Sequence, residues 1–247
     1  MNDIYTVPEL YNAFHGNKTD DRSFILSQAQ QAGGPDVLEL AAGTGRLADP
    51  LIRAGFAYAG IELSPSYAQW ARKKLEGLNL SGEIITGDMR TFNLERKFDF
   101  IFIAFNSFLH LLTDRDARQC LSRVKAHLKP EGRFLMDIFI PNPDYLYRDP
   151  EKLYPVLTFT HPRGGPCRIM EKVRFNPVSE ILDVEWRFYR GNDSAPEFYY
   201  FTMRMYFPDT VDRLITEAGL VIREKRGDHD GSPLKPESPF QIYLACR

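Results

Sequence analysis

The stretch "VLELAAGTGRLA", Val37 to Ala48, constrains the fold more than any other part of the chain. An apolar run leads into small residues, a Gly-Thr-Gly turn and then a helix-compatible segment. A buried strand, a glycine loop and a helix in that order are the opening unit of a parallel α/β sheet. Gly43, Gly45 and Ala48 also satisfy the G-x-G-x-x-G/A fingerprint of dinucleotide-binding loops. Glycines let the backbone approach a ligand, and the helix N-terminus faces it. That physics serves a nicotinamide cofactor and other adenosine-containing cofactors equally, so the fingerprint alone does not choose between them.

Strands and helices keep alternating until about residue 140. The first strand is "DVLELA", Asp36 to Ala41, after the break Gly33-Gly34-Pro35. A helix is predicted from about Arg46 to Ala54, with Pro50 tolerable only near its first turn. The second strand, "AYAGIEL", ends at Glu62-Leu63, and Ser64-Pro65 then supply an N-cap and a proline at the first helical position. Ala68, Ala71 and Leu75 share one face of that helix. "GEIITGD" reads as a third strand and "FDFIFIAF" as a fourth, apolar nearly throughout as a central parallel strand should be. Thr113-x-x-Asp116 opens the next helix as a capping box. Ala117, Cys120, Val124 and Leu128 give that helix an apolar stripe, "KPEG" stops it, and "RFLMDIFI" is the fifth strand.

The rhythm then changes to period two. "RIMEKVRF", "ILDVEWRFYR" and "EFYYFTMRMYF" predict an antiparallel sheet of about three strands, in which Leu182, Val184, Trp186 and Phe188 share a face. This reads as a cap inserted into the main domain. Asp209 is the expected cap of a helix carrying Val211, Leu214, Ile215 and Ala218, ended by Gly219. "LVIREKR" and "FQIYLAC" close the chain, and the helix-free link between them makes an antiparallel pair. The expected organisation is a helical N-terminal segment over 1–35, a cofactor-binding core over 36–145 and 208–247, and the cap over 146–207.

Composition narrows the function. The 247 residues are 43% apolar with 18 Phe and 12 Tyr, ample for a packed core. A net charge of −2, from 31 basic and 33 acidic residues, leaves no basic footprint for nucleic acid. "MNDIYTVPEL" lacks the pattern of a signal peptide. "FIFIAFNSFLHLL" is broken by Asn106 and His110 and is too short to span a bilayer. Cys120, Cys167 and Cys246 are far apart and odd in number, which argues against disulfides and against a zinc cluster. The expectation is a cytoplasmic protein with no metal, nucleic-acid or membrane partner.

Three features separate the two adenosine readings. Glu39 precedes the glycines in E-x-x-x-G-x-G. An acid there is awkward beside a pyrophosphate and useful beside a cation. "GDMR", Gly87 to Arg90, puts an aspartate at the end of the third strand, where it can accept from an adenine amine. The closing antiparallel pair departs from the parallel crossovers of a dinucleotide fold. Glu62, 19 residues past Gly43, suits the ribose in either reading.

Together "ELAAGTG", "GIELS", "GDMRTF", "FDFIFIAFNS" and "HLKPEGRFLMDIF" resemble the successive motifs of class I S-adenosylmethionine-dependent methyltransferases. The resemblance implies a doubly wound, mostly parallel seven-stranded α/β sheet whose last strand is antiparallel, carrying the inserted β cap. It implies that Glu62 binds the ribose diol, that Asp88 and Met89 contact adenine, and that the loop through Gly43 and Gly45 lies under the methionine part. Ala41, Leu63, Phe105 and Asn106 join Glu39 among the cofactor-binding residues it implies. "ELYNAFHGNKTDD" and the cap further resemble the small-molecule methyltransferases that dimethylate nucleotide-linked amino sugars. By that resemblance Tyr11 helps close the cofactor pocket and Lys18 meets the cofactor carboxylate, although an arginine is usual there.

The acceptor side is less marked. Asn106, Ser107 and His110 follow the fourth strand, where the resemblance places the reacting methyl group, and His110 is the first candidate for a proton acceptor. Asp137 is at least as well explained by a structural hydrogen bond. Arg204 and Tyr206, taken to share a face of the last cap strand, are candidate substrate ligands. His229 and Asp230 are expected to be solvated. The predicted activity is methyl transfer from S-adenosylmethionine to a nitrogen or oxygen of a small molecule, and a homodimer is compatible with it. A nicotinamide oxidoreductase and a non-catalytic cofactor-binding module are the alternatives.

Overall fold

The structure is a computed structural model, and it describes residues 3–191 and 195–247. The elements run α1 (Pro8–His15), α2 (Arg22–Gln31), β1 (Asp36–Leu40), α3 (Ala48–Arg53), β2 (Ala57–Glu62), α4 (Pro65–Gly77), β3 (Glu83–Thr86) and β4 (Phe98–Ile103). There follow α5 (Asp114–His127), β5 (Leu128–Phe139), α6 (Pro143–Leu146), β6 (Tyr154–Thr160), β7 (Pro166–Asn176), β8 (Ile181–Arg190) and β9 (Glu197–Arg204). The chain closes with α7 (Pro208–Glu217), β10 (Val221–Arg226) and β11 (Phe240–Cys246). These elements form two compact units, and residues 1–35 are divided between them after Lys18.

The larger unit, Thr19–Ile140 with Tyr206–Arg247, contains a seven-stranded sheet in the order β10-β11-β5-β4-β1-β2-β3. Its strands run parallel except β11, which is antiparallel to both β10 and β5. The expected doubly wound sheet is therefore present, reversed last strand included. Phe100, Ile101, Phe102 and Ile103 of β4 are fully buried, as the apolar run requires of a central strand covered on both faces. Register fixes where the loops emerge. Leu40 lies opposite Ile61 and Ile103, Glu62 opposite Thr86, and Ile103 opposite Met136. The segments after β1, β2, β3 and β4, together with Asp137, thus share one edge of the sheet. Strand order reverses at β1, and ligands of open α/β sheets bind at that switch point beyond the carboxyl ends.

Local signals hold at two helix starts. Ser64 accepts the Tyr67 N–H at 3.3 Å with Pro65 leading α4, and Thr113 accepts the Asp116 N–H at 3.1 Å. Two expectations need correction. The residue at the N-cap of α7 is Phe207, with Pro208 first in the helix. Asp209 instead lies inside the first turn, where its charge favours the helix dipole. "KPEG" is part of β5 and not a separate stop. The register against β4 shifts between Phe98 and Phe100, which absorbs the extra residues.

The smaller unit, Met1–Lys18 with Pro141–Met205, holds an antiparallel sheet in the order β6-β7-β8-β9. It has four strands where the sequence reading gives about three. The additional one, β6, carries Pro155, which removes a donor and is tolerated because β6 is an edge strand with a register shift there. Leu182, Val184 and Phe188 of β8 are buried as the alternation predicts. Trp186, on the same face, is half-buried and gives its indole N–H to Glu171 Oε2 at 2.8 Å. Buried Glu171 also accepts from Tyr145 and Arg148, so its burial is compensated by three donors.

Candidate active site

The glycine loop is built on left-handed backbone. Ala41, Gly43 and Gly45 have φ of 60°, 58° and 71°. At Ala41, where a Cβ is present, that geometry costs about 1–2 kcal/mol. Contacts to β2 hold it: Ala42 donates its N–H to the Ile61 carbonyl at 2.9 Å, and Gly43 donates to Glu62 Oε2 at 2.7 Å. A Cβ at Gly43 would meet nothing within 4 Å, so that face of the loop is open to a ligand. A Cβ at Gly60 would stand 2.7 Å from that of Ala42, so β2 needs a glycine directly beneath the loop.

Three acids surround this loop. Glu39, opposite Gly60 in the sheet, is 5% exposed and accepts the Tyr58 hydroxyl. Burial pushes its carboxyl up to about 8, with the Tyr58 hydrogen bond and the charge of Arg46 opposing that rise. Such a group is neutral near pH 7 by itself, and a cation brought to the loop would draw it into its charged form. Glu62 Oε1 accepts from Ser64 N–H at 2.8 Å while Oε2 holds Gly43. Burial raises its pKa, and these backbone donors resist the rise. Asp21, fully buried, binds Arg46 bidentately at 2.7 and 2.6 Å. This pair anchors the start of α2 to the loop, and the Arg46 guanidinium lies 5.6 Å from the Phe105 ring centroid.

At the end of β3, Asp88 takes hydrogen bonds from the Arg90 side chain at 2.6–3.0 Å. Arg90 reaches on to Asp116 of α5 at 2.8 Å. The Arg90 hydrogen bonds, ahead of a smaller opposing effect of burial, hold the Asp88 pKa below the usual carboxylate range. Met89 is half-buried, and Leu63 is 65% exposed, an apolar side chain left facing outward at the end of β2.

Beyond β4, Phe105 and Asn106 are both left-handed, with φ of 54° and 66°. Asp137 Oδ1 accepts the Phe105 N–H, and Asn106 Oδ1 accepts the Phe139 N–H at 2.7 Å. Ser107 and His110 bound a short 3-10 turn. There Ser107 donates its hydroxyl to the Ala104 carbonyl at 2.8 Å, and His110 is half-buried. His229, expected to be solvated, instead has a side chain 6% exposed and meets Asp137 Oδ2 at 2.9 Å. Asp230 is exposed, as expected.

The larger unit therefore brings Glu39, Ala41, Gly43, Gly45, Glu62, Leu63, Asp88, Met89, Phe105, Asn106 and His110 onto one edge of one sheet. Tyr11 and Lys18 belong to the smaller unit, where Tyr11 packs on the rings of Tyr5, Phe14 and His15. Arg204 ends β9 and binds Glu180 at 2.9 Å. Tyr206 is not on that strand. It belongs to the larger unit, is fully buried, and donates its hydroxyl to the Leu111 carbonyl. Sequence reasoning did not find Tyr58, Asp21, Arg46 or Arg90. Alternation along β2 could have found Tyr58, which shares a face with Gly60 and Glu62.

No helix among the described residues is long and apolar enough to cross a membrane. A methyltransferase-domain family model matches residues 37–132, the span from the first strand to the start of the fifth. Over 242 residues the chain is 29% identical to a glycine/sarcosine N-methyltransferase of Aphanothece halophytica, covering 96% of this chain and 85% of that one. In fold it is similar to the CcbJ methyltransferase of Streptomyces caelestis, with a TM-score of 0.81, 20% identity and 98% of each chain covered. It is also similar to the S-adenosylmethionine-bound amino pentose methyltransferase CalS10 of Micromonospora echinaspora, with a TM-score of 0.74 and 19% identity over 100% of this chain and 98% of that one.

Proposed function

The chain is a class I S-adenosylmethionine-dependent methyltransferase, and on that premise we propose that it methylates a nitrogen of a small-molecule amine. The observation that carries the cofactor half is the pair of buried acids framing the glycine loop, Glu39 beneath it and Glu62 bound to Gly43 N–H. A cationic sulfonium and ammonium would draw Glu39 into its charged form and complement such a cradle, whereas a pyrophosphate would keep it protonated and gain no ion pair from it. The residues present fit the group: Gly43 leaves its outer face clear, and Glu62, the residue proposed for the ribose, is fixed by two backbone donors. Asp88 and Met89 are assigned to adenine, with Ala41, Leu63, Phe105 and Asn106 lining the same site.

Bound S-adenosylmethionine supplies a methyl group already activated by its sulfonium, so little acid–base chemistry is asked of the protein. Alignment of the nucleophile can lower such a barrier by about 7–11 kcal/mol. An amine attacks as the free base, and His110 is the group assigned to take up its proton. Nitrogen is favoured over oxygen because a relative aligned over nearly the whole chain is named as an N-methyltransferase. We assign the reaction to the cytoplasm.

The nicotinamide alternative finds no support, because β11 reverses direction between β10 and β5. A non-catalytic module finds none either. Incubation with S-adenosylmethionine and glycine, sarcosine or an amino pentose tests the proposal by mass spectrometry. S-adenosylhomocysteine is expected to form in step with an N-methylated product. A methyl group found on oxygen, or no product from any amine, would overturn the nitrogen assignment.

A further inference from the structure

The corner after β4 is strained, and its support comes from far away in the chain. Phe105 and Asn106 are consecutive non-glycine residues with left-handed backbone, at φ 54° and 66°. Such strain persists only where surrounding structure over-determines it, and it clusters at functional sites. Here both residues are tied to one position on β5. Asp137 accepts the Phe105 N–H through Oδ1, and its main-chain carbonyl accepts the Asn106 N–H at 3.3 Å. The remaining oxygen, Oδ2, meets His229 Nε2 at 2.9 Å. A carboxylate only accepts, so Nε2 carries the proton. The His229 ring comes from the connection between β10 and β11 and is wedged between Phe24, at 5.6 Å, and Phe240, at 4.9 Å.

We propose that Asp137 and His229 are a positioning pair for methyl transfer: His229 fixes the carboxylate that holds the Phe105–Asn106 corner in shape. The proposal rests on the methyltransferase reading above. The corner stands at the carboxyl end of β4, beside the loop after β1. The Phe105 ring contacts Arg46 of that loop, so displacement of the corner is felt on the cofactor side as well. His229 touches neither ligand in this account and acts only through Asp137. Histidine suits the task because it offers one directed N–H from a flat ring that packs between two phenyl rings. No covalent or redox step is involved.

Two variants separate this from a purely structural role. His229→Phe keeps the ring and removes the donor, and His229→Gln restores an N–H donor. Hydrogen exchange on wild type and variants reads the corner directly, with the Leu38 and Phe102 amides reporting global opening. In His229→Phe the Phe105 and Asn106 amides should exchange at least about tenfold faster while Leu38 and Phe102 keep their rates, and His229→Gln should recover most of the protection. Turnover is read with the fastest acceptor among glycine, sarcosine and an amino pentose. In His229→Phe, kcat should fall by about two orders of magnitude, with the dissociation constant for S-adenosylmethionine unchanged. Wild-type binding and turnover measured alongside report on the methyltransferase reading itself. If none of the three amines turns over, the exchange data decide alone. Unchanged Phe105 exchange, exchange that rises only together with Leu38 and Phe102, or full kcat in His229→Phe would each overturn the proposal.

Discussion

Glu62 accepts the backbone N–H of Gly43 at 2.7 Å, so the acid ending β2 and the turn following β1 form one structural piece although 19 residues separate them. One carboxylate both shapes the loop and faces the edge where the cofactor is assigned. Its loss should act on both.

Glu62→Ala should weaken S-adenosylmethionine binding by about an order of magnitude or more, since a hydrogen bond to a charged group contributes about 1.5–3 kcal/mol. Isothermal calorimetry checks this, and an unchanged affinity would rule out the ribose role. Glu62→Gln keeps an acceptor for Gly43 and should lose less.

Glu39 has a signed consequence for stability. Its carboxyl is pushed up to about 8 in the fold, from an ordinary value near 4.5. Between those values the folded chain holds a proton that the unfolded chain has lost. Stability without cofactor should therefore fall as pH rises from about 4.5 to 8, by at most about 1.4 kcal/mol per pH unit. Denaturant unfolding from pH 5 to 9 reads the slope, and Glu39→Gln should flatten it while weakening cofactor binding.

His127 gives the opposite slope. Its Nε2 accepts the Leu94 N–H at 2.9 Å, and Nδ1 lies 2.7 Å from the Arg123 carbonyl, so the fold selects the neutral ring protonated at Nδ1. Burial is the main cause holding its pKa below the usual value. The unfolded chain then binds the proton first, and stability should be lost as pH falls below about 6.5. His127→Gln should reduce that acid sensitivity in the same denaturant series.

Gly60→Ala places a Cβ 2.7 Å from that of Ala42 and 2.9 Å from the Tyr58 hydroxyl. Overpacking of this kind costs about 1–3 kcal/mol. Thermal unfolding should show that loss, and cofactor affinity should fall with it because the displaced atom belongs to the glycine loop.

Much of this was readable in the sequence because it is local. The glycine loop, the Ser64-Pro65 and Thr113-x-x-Asp116 helix starts and the alternation in β8 each announce themselves within a few residues. The mostly parallel sheet with its reversed last strand followed from the alternation of elements together with the family resemblance. What could not be read depends on contacts between distant segments. His229 lies in a polar stretch, "GDHDG", that suggests solvent, yet 92 positions separate it from the Asp137 it meets, and two phenyl rings enclose it. Asp21 begins α2 with no side-chain cap to that helix because its carboxylate is taken by Arg46. Tyr206 looked like a continuation of β9, but the strand ends at Arg204, and the Gln241 side chain of β11 binds the Tyr206 carbonyl at 2.7 Å.

The acid-framed loop is proposed to bind a cationic methyl donor whose methyl group passes to an amine. The most direct measurement is a calorimetric titration of the protein with S-adenosylmethionine, run beside one with NADH. Binding of S-adenosylmethionine at one site per chain, abolished or strongly weakened in Glu62→Ala, with no heat from NADH, is the predicted result. Binding of NADH in place of S-adenosylmethionine would contradict the account.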